Sequence, residues 1–276
     1  MLLALAACSG GRAKLATSAT PPSSTSSSTS TSTSTSAAPP VPQTTRVRPT
    51  TTVVPRAGIL AGKTVALDPG HNGGNGSHPA EINRPVDAVT EQKPCDTAGA
   101  ATASGYPESA FNFDVSQRLA QLLSQAGARV VLTRTDDTGV GPCITERAAI
   151  GNRAKADAAV SIHADGGPVG GRGFHVIEPA LIAGHTEPIV APSQRLGLDL
   201  RAAYLAGTGI PTSTYIGHDG IDVRSDLGGL NLSTVPKVFI ECGNLNNPTD
   251  ASLLQRPDFR QRAAEALFKG LVADLT

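Results

Sequence analysis

The first 56 residues contain no acidic side chain. Five of the chain's 23 basic residues fall there (Arg12, Lys14, Arg46, Arg48 and Arg56), which leaves 18 basic against 23 acidic residues in the remainder, a formal charge of −5 in a chain whose total is zero. That remainder lacks the basic patch a nucleic-acid surface needs, which argues against nucleic acid as a partner. A bound divalent cation would offset part of its charge. Past the first residues, no run is long and apolar enough to span a bilayer. No heptad repeat or exposed apolar stripe marks a subunit interface, so a monomer is expected. The HExxH helix of many zinc proteases is also missing, so any metal site has to be assembled from distant parts of the chain.

What the chain does have at its start is short. Residues 1–7 are apolar and run into Leu5-Ala6-Ala7-Cys8, followed by Ser9 and Gly10. Residues 1–8 resemble a bacterial lipobox, whose cysteine is lipidated and becomes the mature N-terminus. The resemblance implies export and a lipid anchor at Cys8. A basic leader is absent and the apolar stretch is brief, which points to a translation start upstream of Met1. Residues 17–52 are Ser, Thr and Pro with almost nothing to bury, and such a segment cannot offset the entropy of ordering its backbone. Residues 9–56 are therefore expected to be a disordered tether, and residues 57–276 the folded domain.

The folded part alternates between two periodicities. Residues 64–67 read as a buried strand that opens into Pro69-Gly70-His71-Asn72-Gly73-Gly74, where Pro and Gly let the backbone bend and let a ligand approach. Residues 72–107 show no clear period, and loops of that length in compact domains are functional or disordered. Phe111, Val115, Leu119, Leu122, Leu123 and Ala126 share one helical face, Gly127 ends that helix, and Glu108 sits in its first turn. Further strands are expected at 129–132, 158–162, 174–177 and 235–240. Helices are expected at 145–156, at 192–206, and from Asp250 onward with a break at Pro257. Residues 207–234 read as mostly loop. Strands alternating with helices predict a single three-layer α/β domain with a mostly parallel sheet flanked by helices.

Three of these strands deliver a residue suited to metal or proton chemistry: His71, His163 and Glu241. In a parallel sheet the carboxyl ends share one edge, where ligands of open α/β sheets bind. Glu108, at the head of its helix, can fold over that edge, or it simply stabilises the helix's positive end. Two imidazoles and one carboxylate leave the fourth position of a tetrahedral zinc open, as catalytic sites do. The second carboxylate is then free for proton transfer.

DPGHNGG, Glu108 opening a helix, LTRTDD, SIHAD and ECGNLNNPTDASLL follow one another in this chain. In order and spacing they resemble the zinc-dependent family 3 N-acetylmuramoyl-L-alanine amidases, from about Lys63 to the C-terminus. The resemblance implies one Zn2+ per chain held by His71, Glu108 and His163, with Glu241 as the catalytic glutamate. It also implies hydrolysis, by zinc-activated water, of the amide joining the lactyl group of N-acetylmuramic acid to L-alanine in the peptidoglycan of the cell envelope. The pattern departs at Asp165, usually Asn, and at Asn244, usually Phe. Two other readings stay open: an inactive peptidoglycan-binding regulator, and a zinc peptidase acting within the stem peptide.

Cys95 and Cys143 can pair in an oxidising compartment. Cys242 follows Glu241 on a strand, so it should point the opposite way, into the core. Among the other histidines, His175 reads as structural, His78 and His185 as loop residues, and His218 as either a loop residue or part of the cleft wall.

Overall fold

The computed structural model describes residues 58–276. The lipobox-like segment with Cys8 and the Ser/Thr/Pro-rich tether lie outside the described residues. β-Branched and small apolar runs form the strands, and the amphipathic stretches between them form the helices. In chain order they are β1 (Thr64–Pro69), α1 (Pro79–Ile82), β2 (Pro85–Asp87), β3 (Gln92–Pro94), α2 (Glu108–Gln125), β4 (Arg129–Leu132), α3 (Ile144–Ala154) and β5 (Ala158–Asp165). After these come β6 (His175–Pro179), α4 (Glu187–Thr208), β7 (Ile221–Arg224), α5 (Gly228–Asn231), β8 (Lys237–Asn244), α6 (Pro248–Leu254) and α7 (Pro257–Leu275).

Six strands make one mixed sheet in the order β4-β1-β5-β8-β6-β7. The first four run parallel, β6 is antiparallel to β8, and β7 is parallel to β6. Alternate residues of the strands face α2, α4 and α7. Val65, Leu67, Val160, Ile162, Val238 and Ile240 pack there against Phe111, Leu119, Leu200, Tyr204, Phe259 and Leu267 in one continuous core. Each such side chain, fully buried, contributes about 1.5–3 kcal/mol. Cys242 lies in this core, fully buried, as its place after Glu241 requires. On the opposite face, towards α3, the apolar packing is a small patch of Ala66, Ala156, Ala159 and Val235.

The structure corrects several boundaries. α4 begins five residues earlier than the sequence suggests and carries Pro192 inside it. The missing N–H of that proline costs a helical hydrogen bond, but burial of Ile189 before it and Leu196 after it keeps the helix continuous. Residues 207–234 hold β7 and α5, each only four residues long and too short for a period to show. The long stretch after His71 contains α1 and the small antiparallel pair β2–β3. Among the described residues, no helix is long and apolar enough to cross a membrane.

Candidate metal centre

The register of four strands creates the site. Gly70 follows β1 and donates its N–H to Ile162 O at 3.0 Å. His163 on β5 is opposite Glu241 on β8, and Glu241 is in turn opposite His175 on β6. Registered neighbours project to the same face of a sheet, so His163, Glu241 and His175 stand in a row at one level. Gly70 completes that row without a side chain because the His163 ring occupies the space: a Cβ there would lie 2.0 Å from the imidazole Cε1. His163 and Glu241 are within their strands rather than beyond them, since the pairing between β5 and β8 continues past both.

His71 reaches the row by leaving β1 with φ of 55°, a left-handed conformation that few non-glycine residues hold. Its carbonyl accepts a hydrogen bond from Arg147 at 2.9 Å. Its Nδ1 lies 3.2 Å from Asp96 Oδ1 and 3.1 Å from Thr97 O, leaving Nε2 to face the cleft. Glu108 comes in from above at the head of α2. Its Oε2 accepts the Ala100 N–H at 2.8 Å, and its Oε1 lies 2.9 Å from His163 Nδ1 and 3.3 Å from His71 Nε2. A carboxylate that serves only the helix dipole would be exposed; this one is buried between two imidazoles.

His71, Glu108 and His163 each offer one ligand atom, and these atoms lie within 4.8 Å of one another. Burial works against a charged imidazole at His71, but Glu108 and Asp96 outweigh it and push its pKa up to about 10. The centre thus favours positive charge. Burial works equally against a charged Glu108, and the two histidines reverse it, holding that carboxyl well below its ordinary range. Glu241 goes the other way: burial first, then the nearby Glu108 and Asp165, raise it well above the usual carboxylate value. Among the described residues its buried Oε2 has no hydrogen-bond partner. A His/His/Glu donor set with an unpartnered carboxylate beside it suits zinc with an open position.

Beneath this centre lies a charged network that the sequence reading missed. Arg147 on α3 donates to Asp96 Oδ2 at 2.9 Å and to Asp68 Oδ1 at 3.0 Å. Asp68 also accepts from Ser161 at 2.6 Å, Thr133 at 2.7 Å and Lys237 at 3.1 Å. The Cys95–Cys143 disulfide ties the segment carrying Asp96 to the start of the helix carrying Arg147. Asp68 stood inside DPGH as a signal, but Asp96, Arg147 and Lys237 carry no local motif.

Two adjoining cavities, of about 240 and 420 Å³, meet at His71, His163 and Arg224. One runs towards Lys93 and Asp226, the other towards Asp165 and Glu241. His78, His185 and His218 are exposed and line neither. The two departures from the family pattern both have work to do. Asp165 accepts the Tyr215 hydroxyl at 2.8 Å, and Asn244 donates to Pro168 O and Gly171 O at 2.8 and 2.9 Å, tying down the loop after β5.

Fold and centre together define a class: a three-layer α/β scaffold with metal-competent side chains gathered at one sheet edge beside the Glu241 carboxylate. Residues 65–273 match the Amidase_3 model, described as N-acetylmuramoyl-L-alanine amidase. The chain is 42% identical over 219 residues to an N-acetylmuramoyl-L-alanine amidase of Mycobacterium tuberculosis, covering 78% of this chain and 88% of that one. The crystal structure of the N-acetylmuramyl-L-alanine amidase Ami1 from Mycobacterium smegmatis is 42% identical, with a TM-score of 0.73 over 78% of this chain and 98% of its own. Ami1 from Mycobacterium abscessus is 44% identical, with the same TM-score over 78% of this chain and 100% of its own. The chain belongs to the N-acetylmuramoyl-L-alanine amidase family, and it is an amide hydrolase.

Proposed function

We propose that this chain cuts the amide between the lactyl group of N-acetylmuramic acid and the L-alanine of the stem peptide in peptidoglycan, using one zinc ion held by His71, Glu108 and His163. The observation that carries this is the gathering of those three ligand atoms within 4.8 Å of one another, beside Glu241 but without it. When bound, zinc supplies a Lewis acid that polarises the amide carbonyl and acidifies a water. Glu241 takes up the proton released in the attack and delivers it to the departing alanine nitrogen. Asp96 fixes the His71 ring so that Nε2 faces the cleft, and Arg147 fixes Asp96; such outer partners orient a metal ligand and set its tautomer.

The domain at 57–276 carries this activity, behind the tether at 9–56 and the lipobox-like residues 1–8. Its place is the cell envelope, outside the cytoplasm, as a monomer anchored through Cys8. The disulfide supports export, and relatives at 27% identity named as probable cell wall amidases support the substrate.

Mass analysis of muropeptides treated with the zinc-loaded protein is the test. Release of stem peptide with a free L-alanine amino terminus is expected. Cleavage at another peptide bond would make the chain a peptidase, and binding without cleavage would make it a regulator. Glu241→Gln should retain zinc and fold while turnover falls roughly a hundredfold or more. Loss of zinc from that variant would instead make Glu241 a ligand.

A further inference from the structure

His175 reads from sequence as a structural strand residue, but the register makes it Glu241's neighbour. β6 runs antiparallel to β8, so its amino end, not its carboxyl end, reaches the edge where His163 and Glu241 stand. His175 and Glu241 are directly opposed. Such cross-strand pairs place their Cβ atoms about 4.5–5.5 Å apart on the same face. His175 is buried and Glu241 half-buried, and among the described residues each holds a buried polar atom without a partner: Nδ1 of His175 and Oε2 of Glu241. Native proteins rarely leave such buried atoms on facing residues unpaired, and a single trapped water is the usual bridge.

We propose that His175 is a positioning residue for Glu241, sharing a hydrogen bond between its Nδ1 and Glu241 Oε2 through one buried water. This rests on Glu241 being the proton carrier of the amidase reaction. The ring is also braced. Tyr215 meets the imidazole edge-on with centroids 6.3 Å apart, and the Tyr215 hydroxyl is fixed on Asp165. The charged groups that bear on the ring are Asp165 at the end of β5 and Asp222 and Arg224 on β7. Burial holds the imidazole pKa below its ordinary value, so the ring is neutral and presents one donor and one acceptor. The proton that Glu241 takes up stays on Glu241 until it is delivered, and His175 fixes which oxygen carries it. A carboxyl free to rotate in its pocket would spend part of its time with the proton facing away from the leaving nitrogen, which lowers kcat without touching substrate affinity or the metal.

The test uses the zinc-loaded chain with His175→Leu, which fills a similar volume without polar atoms, and His175→Gln, which keeps a polar end. The Leu variant should keep its zinc and its KM while kcat falls about 10- to 100-fold, the scale seen when a partner behind a functional group is removed. Gln should recover most of that loss. In a Glu241→Gln background, adding His175→Leu should cost nothing further. Leu activity within twofold of wild type, or a full additional loss in the Glu241→Gln background, would overturn the proposal. A second readout needs no turnover. The ring-nitrogen NMR signals of His175, assigned by their absence from His175→Leu or, if that variant does not fold, from His175→Gln, should move on Glu241→Gln substitution. Signals that stay in place refute the coupling. A wild-type chain that never cuts muropeptides refutes the amidase reading instead, and leaves the NMR result standing by itself.

Discussion

On the face covered by α2, α4 and α7, strands β1, β5 and β8 present Val65 and Leu67, Val160 and Ile162, Val238 and Ile240. On the other face, alternate residues of the same strands present Asp68, Ser161 and His163, Lys237 and Glu241. The first face is held by area removed from water, which is non-directional and tolerates repacking. The second is held by ion pairs and hydrogen bonds, which add little net stability because each charge loses its hydration. What they do provide is direction: Asp68 is fixed by Ser161, Thr133, Lys237 and Arg147 at once, and Arg147 in turn fixes Asp96. An amidase centre needs that directional face, and it depends on the apolar one for the stability to afford it.

The largest effect that can break this contrast is expected at Asp68, where Lys237, Arg147, Ser161 and Thr133 converge. Asp68→Asn leaves two buried cations short of their anion and should cost about 3–5 kcal/mol, measured by urea denaturation. A cost below 1 kcal/mol would mean that the polar face is not held by charge. The pH dependence has a definite sign. Burial alone would raise the Asp68 carboxyl, but Lys237 and Arg147 hold it far below its ordinary value of 3.8. Its contribution is therefore intact above about pH 4 and is lost as the pH falls below that range towards the folded-state value. Wild type should lose stability more steeply than Asp68→Asn on acidification below pH 4.

These two faces were not equally legible in the sequence. The apolar face announces itself, because Val65, Leu67, Val160 and Ile162 alternate and Phe111 to Leu123 keep a helical period. His71, Glu108, His163 and Glu241 were also legible, because each sits in a short local motif. The network beneath them was not. Asp96 lies in a stretch without periodicity, and Arg147 sits in a helix whose small residues suggested only close packing. His175 was hidden for a different reason. Strand direction decides whether a residue reaches the site by its strand's end or by its beginning, and nothing local to β6 says that it runs against β8.

The disulfide offers the next test, because it crosses between the irregular segment and α3. Bonding Cys95 to Cys143 closes a loop of 48 residues, worth about 3–4 kcal/mol by chain entropy, less any native strain. Cys95→Ser with Cys143→Ser should lower stability on that scale. It should also loosen Asp96 and Arg147, so zinc affinity should fall along with stability, on the order of tenfold. Isothermal titration with zinc checks the second effect. Unchanged affinity in a destabilised variant would show that the bridge serves the fold alone.

The smallest effect is expected from the exception on the apolar side. Glu178 on β6 faces α4 in the company of Val176, and it is buried with Oε1 unpartnered among the described residues. Gly197 of α4 makes room for it, since a Cβ there would come within 2.4 Å of Glu178 Oε1. Asp68, buried among cations, is held ionised; Glu178, buried without one, is raised by desolvation to about 7. The same physics predicts opposite pH behaviour for two buried carboxylates on opposite faces of one sheet. A carboxyl whose folded-state pKa is raised contributes stability that is complete below its unfolded value, near 4.5, and is lost as the pH rises through about 7. The loss is limited to about 1.4 kcal/mol per pH unit, the linkage of a single proton. Glu178→Gln cannot ionise, so the stability difference between variant and wild type should shift in the variant's favour from pH 5 to pH 7 and then level off. Denaturation curves at matched zinc occupancy across that interval measure it. A difference that stays constant with pH would mean that Glu178 is ionised in the fold, and that the apolar face tolerates a charge this comparison says it should not.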